Sequence, residues 1–298
     1  MQEWEEEACT LCPHLCGAIR GEEEGAGVCG IPRLPKLARA ALHHWEEPCL
    51  SGTRGAGTVF FSGCSLRCIY CQNQRISHGN FGAIISTKSL RNIFERLIGE
   101  GAHNIDLVNP THFAPVIAKA LEQPLSVPVV WNSSGYERVE TLRKLEGKVQ
   151  IYLPDFKYPD EEGARRYSGV LNYPEVVKAA ILEMLRQTGP CVLDQDGILQ
   201  RGVLIRHLLL PGRLKQAKEV MDWISEYLPK GSIFVSLMGQ YVPFGAAKET
   251  PPLNRAIRES ELKAAISYMQ ALGLAGYTQE TAAATAEYVP SFDLSGVW

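Results

Sequence analysis

The sequence predicts an α/β fold: a partial (β/α)6 parallel barrel that follows a small metal-bound amino-terminal knuckle. From residue 58 onward, short continuous apolar runs alternate with longer stretches of helical period, which is typical of strands buried on both faces and covered by helices. Six such units fit an open barrel better than a closed eight-unit barrel, which usually needs about 250 residues. The first thirty residues instead carry four cysteines among glycines and glutamates, with too few apolar side chains for a core.

Each predicted strand is a short apolar run, and a predicted helix follows it. The predicted strands cover residues 58–62, 104–108, 128–132, 149–153, 203–210 and 232–237. The predicted helices cover residues 88–100, 112–122, 136–146, 174–188, 213–228 and 259–272. The first of these helices has the clearest pattern, because Leu90, Phe94 and Leu97 fall on one face and Gly101 can end it.

The organisation along the chain follows from these patterns. Residues 1–31 are predicted to be a cysteine-rich metal-binding segment, residues 32–57 a connecting segment that ends in a glycine-rich loop, and residues 58–298 the barrel. Glu46 and Glu47 lie in the connecting segment. Solvated charges are the more common explanation for such a pair, and a place on the barrel rim is the alternative.

The composition narrows the class of protein. The chain has 298 residues, of which 45% are hydrophobic and 21% charged, as in an ordinary globular protein. Its net charge of -3 provides no basic field for a phosphate backbone, so nucleic acid is not expected as a partner. The acidic start lacks the pattern of a secretory signal, and no run of about 18 apolar residues occurs. We therefore expect a cytoplasmic protein that does not bind membranes.

Nine cysteines in a reducing compartment indicate metal ligation or catalysis rather than disulfides. Cys64, Cys68 and Cys71 directly follow the first predicted strand. A structural zinc site needs four protein ligands, whereas a cuboidal iron-sulfur cluster held by three cysteines keeps one iron open. The three cysteines therefore favour a reactive cluster, and a zinc site completed by His78 or by a distant ligand is the alternative.

The spacing Cys64-x3-Cys68-x2-Cys71, with Tyr70 before the last cysteine, resembles the signature of the radical S-adenosylmethionine (SAM) superfamily. Its flanks, Phe60-Phe-Ser-Gly-Cys and Cys71-Gln-Asn, resemble the branch of pyruvate formate-lyase activating enzyme. The resemblance implies a 4Fe-4S cluster whose open iron is chelated by SAM, and a contact of Tyr70 with this cofactor. It also implies reductive cleavage of SAM to a 5'-deoxyadenosyl radical, which abstracts hydrogen from a substrate.

Several alternatives stay open at this point. The resemblance implies an electron donor of the flavodoxin or ferredoxin type. The hydrogen donor is either a glycine of a partner protein, as for an activase, or a peptide or a small molecule. A non-catalytic iron-sulfur or zinc protein that serves interaction or electron transfer is the competing interpretation. The alternating pattern with polar strand ends favours catalysis.

Polar residues follow the other predicted strands, at the edge where parallel β/α sheets bind ligands. Asn132-Ser-Ser134-Gly resembles the Thr-Asn-Gly-aromatic turn of glycyl-radical-activating enzymes, which implies contacts of Asn132 and Ser134 with the ribose or carboxylate of SAM. Asp155-Phe-Lys157 resembles their Asp-hydrophobic-Lys motif, and the segment around Arg206 resembles their fifth strand. By this resemblance Asp155, Lys157 and Arg206 orient the polar end of SAM or a nearby cation. A rim ion pair, a salt bridge to a helix and an ordinary turn are the alternatives.

The end of the second predicted strand departs from the superfamily pattern. Gly-Gly-Glu usually holds the amino group of SAM there, and Asn109-Pro-Thr111-His112 stands in its place. We expect Thr111 and His112 to substitute as hydrogen-bond partners, with a helix cap as the alternative for His112. Gln240, after the last predicted strand, is expected to close the site over adenosine or substrate.

The amino-terminal cysteines are predicted to form a second, closed metal site. They supply four thiolates from a segment that could hardly fold otherwise: Cys9, Cys12, Cys16 and Cys29. Zinc is slightly favoured over a second iron-sulfur cluster, and four reduced, metal-free cysteines are the remaining alternative. We expect this site to be structural or electron-conducting, and not to cleave SAM.

Overall fold

A computed structural model describes residues 8–279 and 290–298. Its strands are β1 (Lys36–His43), β2 (Ala56–Phe61), β3 (Ala83–Ile84), β4 (Ile105–Val108), β5 (Val129–Ser133), β6 (Ile151–Pro154), β7 (Val192–Leu193), β8 (Leu199–Leu208), β9 (Phe234–Met238) and β10 (Gly276–Thr278). Its α-helices are α1 (Pro48–Ser51), α2 (Gln74–Ser77), α3 (Thr87–Gly99), α4 (Ala114–Ala120), α5 (Val139–Arg143), α6 (Glu161–Ser168), α7 (Tyr173–Thr188), α8 (Leu214–Tyr227) and α9 (Glu259–Ala271). Short 3-10 turns cover Thr111–Phe113 and Gly245–Glu249.

One mostly parallel sheet organises the described part of the chain. Its strand order is β10-β9-β8-β6-β5-β4-β2-β1-β3, and every neighbouring pair from β10 to β2 is parallel. β1 pairs antiparallel with β2 and with β3. The two ends of this order do not pair in the described residues, so the sheet is open. The predicted α/β partial barrel is confirmed.

Burial on both faces explains the apolar runs that mark the strands. Every residue of β2, β5 and β6 is buried, since side chains of one face fill the barrel and those of the other face pack under helices. In α3 the predicted apolar face is buried, and the Ser86 side chain accepts a hydrogen bond from the backbone of Ser89 at the start of the helix. The buried residues that form these two patterns therefore fix the strands, and with them the strand ends at which the site lies.

The sheet also contains strands that were not predicted. β10 adds one more parallel strand beyond the six expected, but its three residues are too few to show a pattern. β1 lies within residues 32–57, which were predicted to be only a connection. Beyond its short pairing with β3, the edge of β1 opposite β2 is bonded by residues 294 and 295. Leu294 N donates to Ala38 O at 3.0 Å and Ala40 N donates to Ser295 O at 2.9 Å.

The amino-terminal segment has little regular structure between residues 8 and 35 but is attached to the barrel beside α5. Arg138 Nη1 donates to Thr10 O at 2.6 Å, and Thr141 Oγ1 donates to Leu11 O at 2.8 Å. The first part of the predicted segment, residues 1–7, lies outside the described residues. In the ranges that are described, no helix combines the length and the apolar character needed to cross a membrane.

Candidate active site at the strand ends

A cavity lies at the carboxyl ends of the parallel strands, where β/α sheets bind ligands. The loop after β2 forms one wall, and the residues that follow β4, β5, β6, β8 and β9 form the others. Most of the predicted site residues meet here: Cys64, Cys68, Tyr70, Cys71, Asn132, Ser134, Asp155, Lys157, Arg206 and Gln240. They come together because parallel strands bring residues that are distant in sequence to the same edge.

Each of the three cysteine sulfurs in the loop after β2 accepts a hydrogen bond. The pairs are Leu66 N to Cys64 Sγ (3.4 Å), Ser168 Oγ to Cys68 Sγ (3.0 Å) and Ser77 Oγ to Cys71 Sγ (3.3 Å). Hydrogen bonds to ligand sulfurs are one means by which proteins orient and tune iron-sulfur clusters. The barrel thus supplies both the three thiols and the donors around them.

Burial of Cys64 and Cys71 raises the pKa of both thiols and opposes their ionisation unless a cation is present. Burial raises the pKa of Cys64 to about 12, and the charges of Cys68 and Cys71 add to this effect. Within the described ranges, no group of three or more His, Cys, Asp or Glu side chains is already drawn together as a metal site. Three soft ligands that share one cavity nevertheless fit a cuboidal cluster with an open iron, which would supply the positive charge that thiolates need.

Asp155 bridges two cations at the opposite wall. Its carboxylate accepts from Lys157 Nζ at 2.5 Å and from Arg206 Nε at 3.0 Å. Burial alone would raise the pKa of Asp155, but the charges of Lys157 and Arg206 outweigh it and lower the pKa. The ion pair of Asp155 and Lys157 that was the alternative is thus present, and with side chains only 16 to 18% exposed it belongs to a largely buried network that includes Arg206.

Arg206 extends this network toward the interior of the barrel. Its Nη2 donates to Asn132 Oδ1 at 2.6 Å, and its Nη1 contacts Glu46 Oε2 at 3.3 Å. Asn132 Nδ2 in turn lies 3.4 Å from Asp106 Oδ2. Burial would lower the pKa of Arg206, but the surrounding carboxylates raise it. The guanidinium therefore stays charged and fixes the orientation of its neighbours.

An aromatic shell surrounds Tyr70. Its hydroxyl lies 2.8 Å from that of Tyr158, and its ring packs edge-on against Tyr158, Tyr167 and Tyr241. Tyr241 lines the cavity next to Gln240. The shell keeps water away from the cysteine loop on this side, because large apolar rings fill the space.

The structure corrects the prediction for Thr111 and His112. Both are nearly fully buried and neither lines the cavity. Thr111 Oγ1 donates to the Glu137 carboxylate, and His112 Nε2 donates to Ser62 O at 2.7 Å. Burial lowers the pKa of His112 to about 4, so its ring is neutral. The 3-10 turn at this strand end directs both side chains inward, and Asn109 takes the place on the cavity wall.

The prediction of solvated charges for Glu46 and Glu47 is wrong. Glu47 is 3% exposed and the Glu46 side chain 11% exposed. Both line a second cavity that adjoins the first, and Asp106, which is 1% exposed, was not identified as a site residue at all. No local pattern predicts this arrangement, because the segment after β1 must fold into the barrel before these carboxyl groups are buried.

The amino-terminal cysteines line neither cavity, and in the described residues they are not gathered as a group of three or more metal ligands. Burial raises the pKa of Cys12 to about 12, and the charges of Cys29 and Cys9 raise it further. The segment also contacts the barrel loop, because His14 Nε2 donates to Ser65 O at 2.7 Å. The second cysteine group is therefore separate from the cavity but adjacent to the loop that carries Cys64.

Several known proteins are similar to this chain in sequence or in fold. A family model described as a 4Fe-4S single cluster domain matches residues 51–153. The uncharacterized protein MJ0674 of Methanocaldococcus jannaschii is 32% identical over 277 residues, which are 89% of this chain and 75% of that protein. Among solved structures, a variant of spore photoproduct lyase is 10% identical, with a TM-score of 0.51 over 77% of this chain and 78% of that one. A domain of pyruvate-formate lyase-activating enzyme from Bacteroides vulgatus is 15% identical, with a TM-score of 0.36 over 65% of this chain and 91% of that one.

Two of these findings define the class of protein. Residues 51–153 match a 4Fe-4S single cluster domain, and the chain belongs to the same family as the archaeal protein MJ0674.

Proposed function

We propose that this enzyme cleaves SAM at a cluster held by Cys64, Cys68 and Cys71, and that the product abstracts hydrogen from a substrate bound in the adjoining cavity. The observation that carries the proposal is the shared cavity: three hydrogen-bonded cysteine sulfurs face the charged network of Asp155 and Arg206 across one space. When bound, the cluster and SAM supply the electron and the sulfonium that yield methionine and a 5'-deoxyadenosyl radical.

The residues of the chain bind and orient these groups. Cys64, Cys68 and Cys71 would hold the cluster, and three protein ligands would leave one iron open to another ligand. Asn132 and Ser134 lie on the cavity wall, with amide and hydroxyl groups suited to ribose hydroxyls. Lys157, which is bonded to Asp155 and lines the same wall, has further N–H donors for a carboxylate.

Exclusion of water is the second task of the chain. A carbon radical must meet its intended hydrogen donor before any other molecule, and a closed site favours that outcome. Tyr70 and its tyrosine neighbours close the side behind the cysteines. Met238, Val242 and Phe244 add an apolar wall near Gln240. These contacts support a site that is dry where the reaction occurs.

The reducing electron is proposed to come from a flavodoxin- or ferredoxin-type protein. The amino-terminal cysteines would hold zinc or a second iron-sulfur cluster with a structural or electron-conducting role. The contact between His14 and Ser65 supports a role near the barrel loop, since Ser65 directly follows Cys64.

The test is the formation of 5'-deoxyadenosine by anaerobically reconstituted protein with dithionite and SAM. Cys71→Ala is expected to abolish the product and most of the barrel iron, because one of three cluster ligands is lost. The matched control is Cys191→Ala, a cysteine outside both groups, which should keep full activity. Wild-type protein that holds the cluster but yields no 5'-deoxyadenosine would support a non-catalytic iron-sulfur protein instead.

A further inference from the structure

The second cavity is lined in part by the segments that follow β1 and β10. Glu46 and Glu47, after β1, line one side, and Gln279, after β10, lines another. The cavity is continuous with the first one and shares more than half of its lining residues with it, among them Asn132 and Arg206, but it contains none of the three loop cysteines. It is thus a space next to the proposed cofactor site that a second molecule can occupy.

Acidic groups exceed cations around this space. Arg206 contacts both Asp155 and Glu46, and Lys157 is bonded to Asp155. Glu47 has no ion pair in the described part of the chain. Burial raises the pKa of Glu47, although the nearby charge of Arg206 acts in the opposite direction. A cation that enters the cavity would therefore meet a carboxyl group with no cation in contact and would favour its ionised form.

Some residues of this lining carry buried acceptors without a partner. Three buried oxygen atoms of its lining residues have no hydrogen-bond partner in the described residues: Glu47 Oε2, Asn73 Oδ1 and Gln279 Oε1. Buried polar atoms without partners are uncommon in proteins and cost free energy until a partner arrives. A primary ammonium group offers three N–H donors and a positive charge.

Aromatic rings complete a lining suited to a cation. Trp45, Phe60 and Phe244 lie around the same cavity. Ring faces attract ammonium groups electrostatically, and the effect grows when water is excluded. The carboxylates, the unpaired acceptors and the aromatic rings thus all favour an ammonium group.

We propose that Glu46 and Glu47 form a subsite for a primary ammonium group of the substrate, so that the substrate is an amine. This inference depends on the proposed function, because that function makes the adjoining cavity the place of the hydrogen donor. The amino group of SAM is not the occupant, since it must reach the iron near Cys64, Cys68 and Cys71, and none of them lines this cavity. The ammonium comes from a free amine or from the lysine side chain of a peptide.

The test measures binding to enzyme loaded anaerobically with cluster and SAM, by titration calorimetry. The probes are n-butylammonium chloride with 1-butanol as its neutral counterpart, and acetyl-Gly-Lys-Gly-amide with the corresponding norleucine peptide. Glu47→Gln is expected to weaken binding of the cationic probes at least about tenfold, because the charge is lost while the shape is kept. The matched control is Glu183→Gln, a buried glutamate of α7 that is bonded to Arg186 and should not change binding.

Further measurements distinguish failure of the subsite from misfolding and from failure of the proposed function. Iron content and thermal unfolding verify that Glu47→Gln is folded, and Glu46→Gln provides a second variant with the same expected loss. 5'-Deoxyadenosine formation by the wild type tests the proposed function independently, so cleavage without amine binding rejects the subsite alone.

The results that support or reject the subsite are distinct. Tighter binding of the free amine than of the lysine peptide supports a small-molecule amine, and the reverse order supports a peptide. The inference is rejected if neither cationic probe binds at millimolar concentration, if 1-butanol binds as well as its amine, or if Glu47→Gln binds like the wild type. The inference is also rejected if potassium ions bind as tightly as the amine probes, since that would indicate a simple cation site.

Discussion

Two groups of cysteines lie in different surroundings. Those after β2 line a cavity, and every sulfur accepts a hydrogen bond from a loop backbone or serine group. The amino-terminal ones lie in an irregular segment beside α5, line neither cavity and include Cys16, which is exposed. A molecule can therefore bind beside the cysteines at the strand ends, whereas the amino-terminal cysteines are expected to do no more than hold a metal.

The two cysteine groups also differ in the part of the fold that holds them in place. The loop after β2 is fixed by a buried strand, so the positions of Cys64 and Cys68 follow from the fold. The amino-terminal segment contributes few apolar side chains and is attached through backbone groups such as Thr10 O and Leu11 O. We therefore expect loss of metal to unfold the segment and to leave the barrel folded.

The largest effect is expected when the charged network opposite the barrel cysteines is broken. Asp155→Asn leaves Lys157 and Arg206 as buried cations without their shared carboxylate. We expect SAM cleavage to fall about a hundredfold, equal to some 3 kcal/mol, and stability to fall by a similar amount. Product assays and urea unfolding measure both.

The control for this variant is an exposed ion pair. Glu146→Gln removes a carboxylate that is bonded to Arg186 at 2.7 Å on the surface, and it should cost less than about 1 kcal/mol of stability with no change in cleavage. Wild-type cleavage in Asp155→Asn would show that the network does not serve the site.

Much of this arrangement could be predicted from the sequence. Asn132, Asp155 and Arg206 lie on different strands, yet the carboxyl ends of parallel strands must meet, and the three form one network. The burial of Glu47 could not be predicted, because it depends on how the segment after β1 enters the barrel. The same limit applies to Thr111, whose short 3-10 turn directs the side chain inward.

A moderate effect is expected from the hydrogen bonds to the barrel sulfurs. Ser168→Ala removes the donor to Cys68 Sγ, and a hydrogen bond to sulfur stabilises the more negative, reduced cluster. We expect a lower reduction potential and a several-fold slower cleavage with a weak reductant, while dithionite restores most of the rate. Ser89→Ala, at the exposed start of α3, is the matched control. An unchanged potential in Ser168→Ala would contradict the role of this hydrogen bond.

A smaller, pH-dependent effect is expected beside the amino-terminal segment. Burial raises the pKa of Glu137 to about 7, although hydrogen bonds from Thr111 and other neighbours act against it. Because the unfolded chain ionises near the usual value, the wild type loses stability as pH rises toward 7. Glu137→Gln removes this loss, so its advantage should grow between about pH 5 and 7 and reach on the order of 2 kcal/mol.

Urea unfolding across this pH range measures the effect of Glu137→Gln. Glu140→Gln, a neighbouring exposed glutamate that pairs with Arg138, should show no such trend. A constant difference between Glu137→Gln and the wild type at all pH values would mean that the carboxyl group has an ordinary pKa.

The most direct test of the central claim compares the two cysteine groups in one variant. Cys12→Ser with Cys16→Ser should lose one metal site and some stability, yet keep the barrel cluster and cleave SAM when dithionite supplies the electron. Loss of zinc would identify a structural site, and loss of iron an electron-conducting one. A variant that keeps a full barrel cluster and bound SAM but forms no 5'-deoxyadenosine would contradict the assignment of catalysis to Cys64, Cys68 and Cys71.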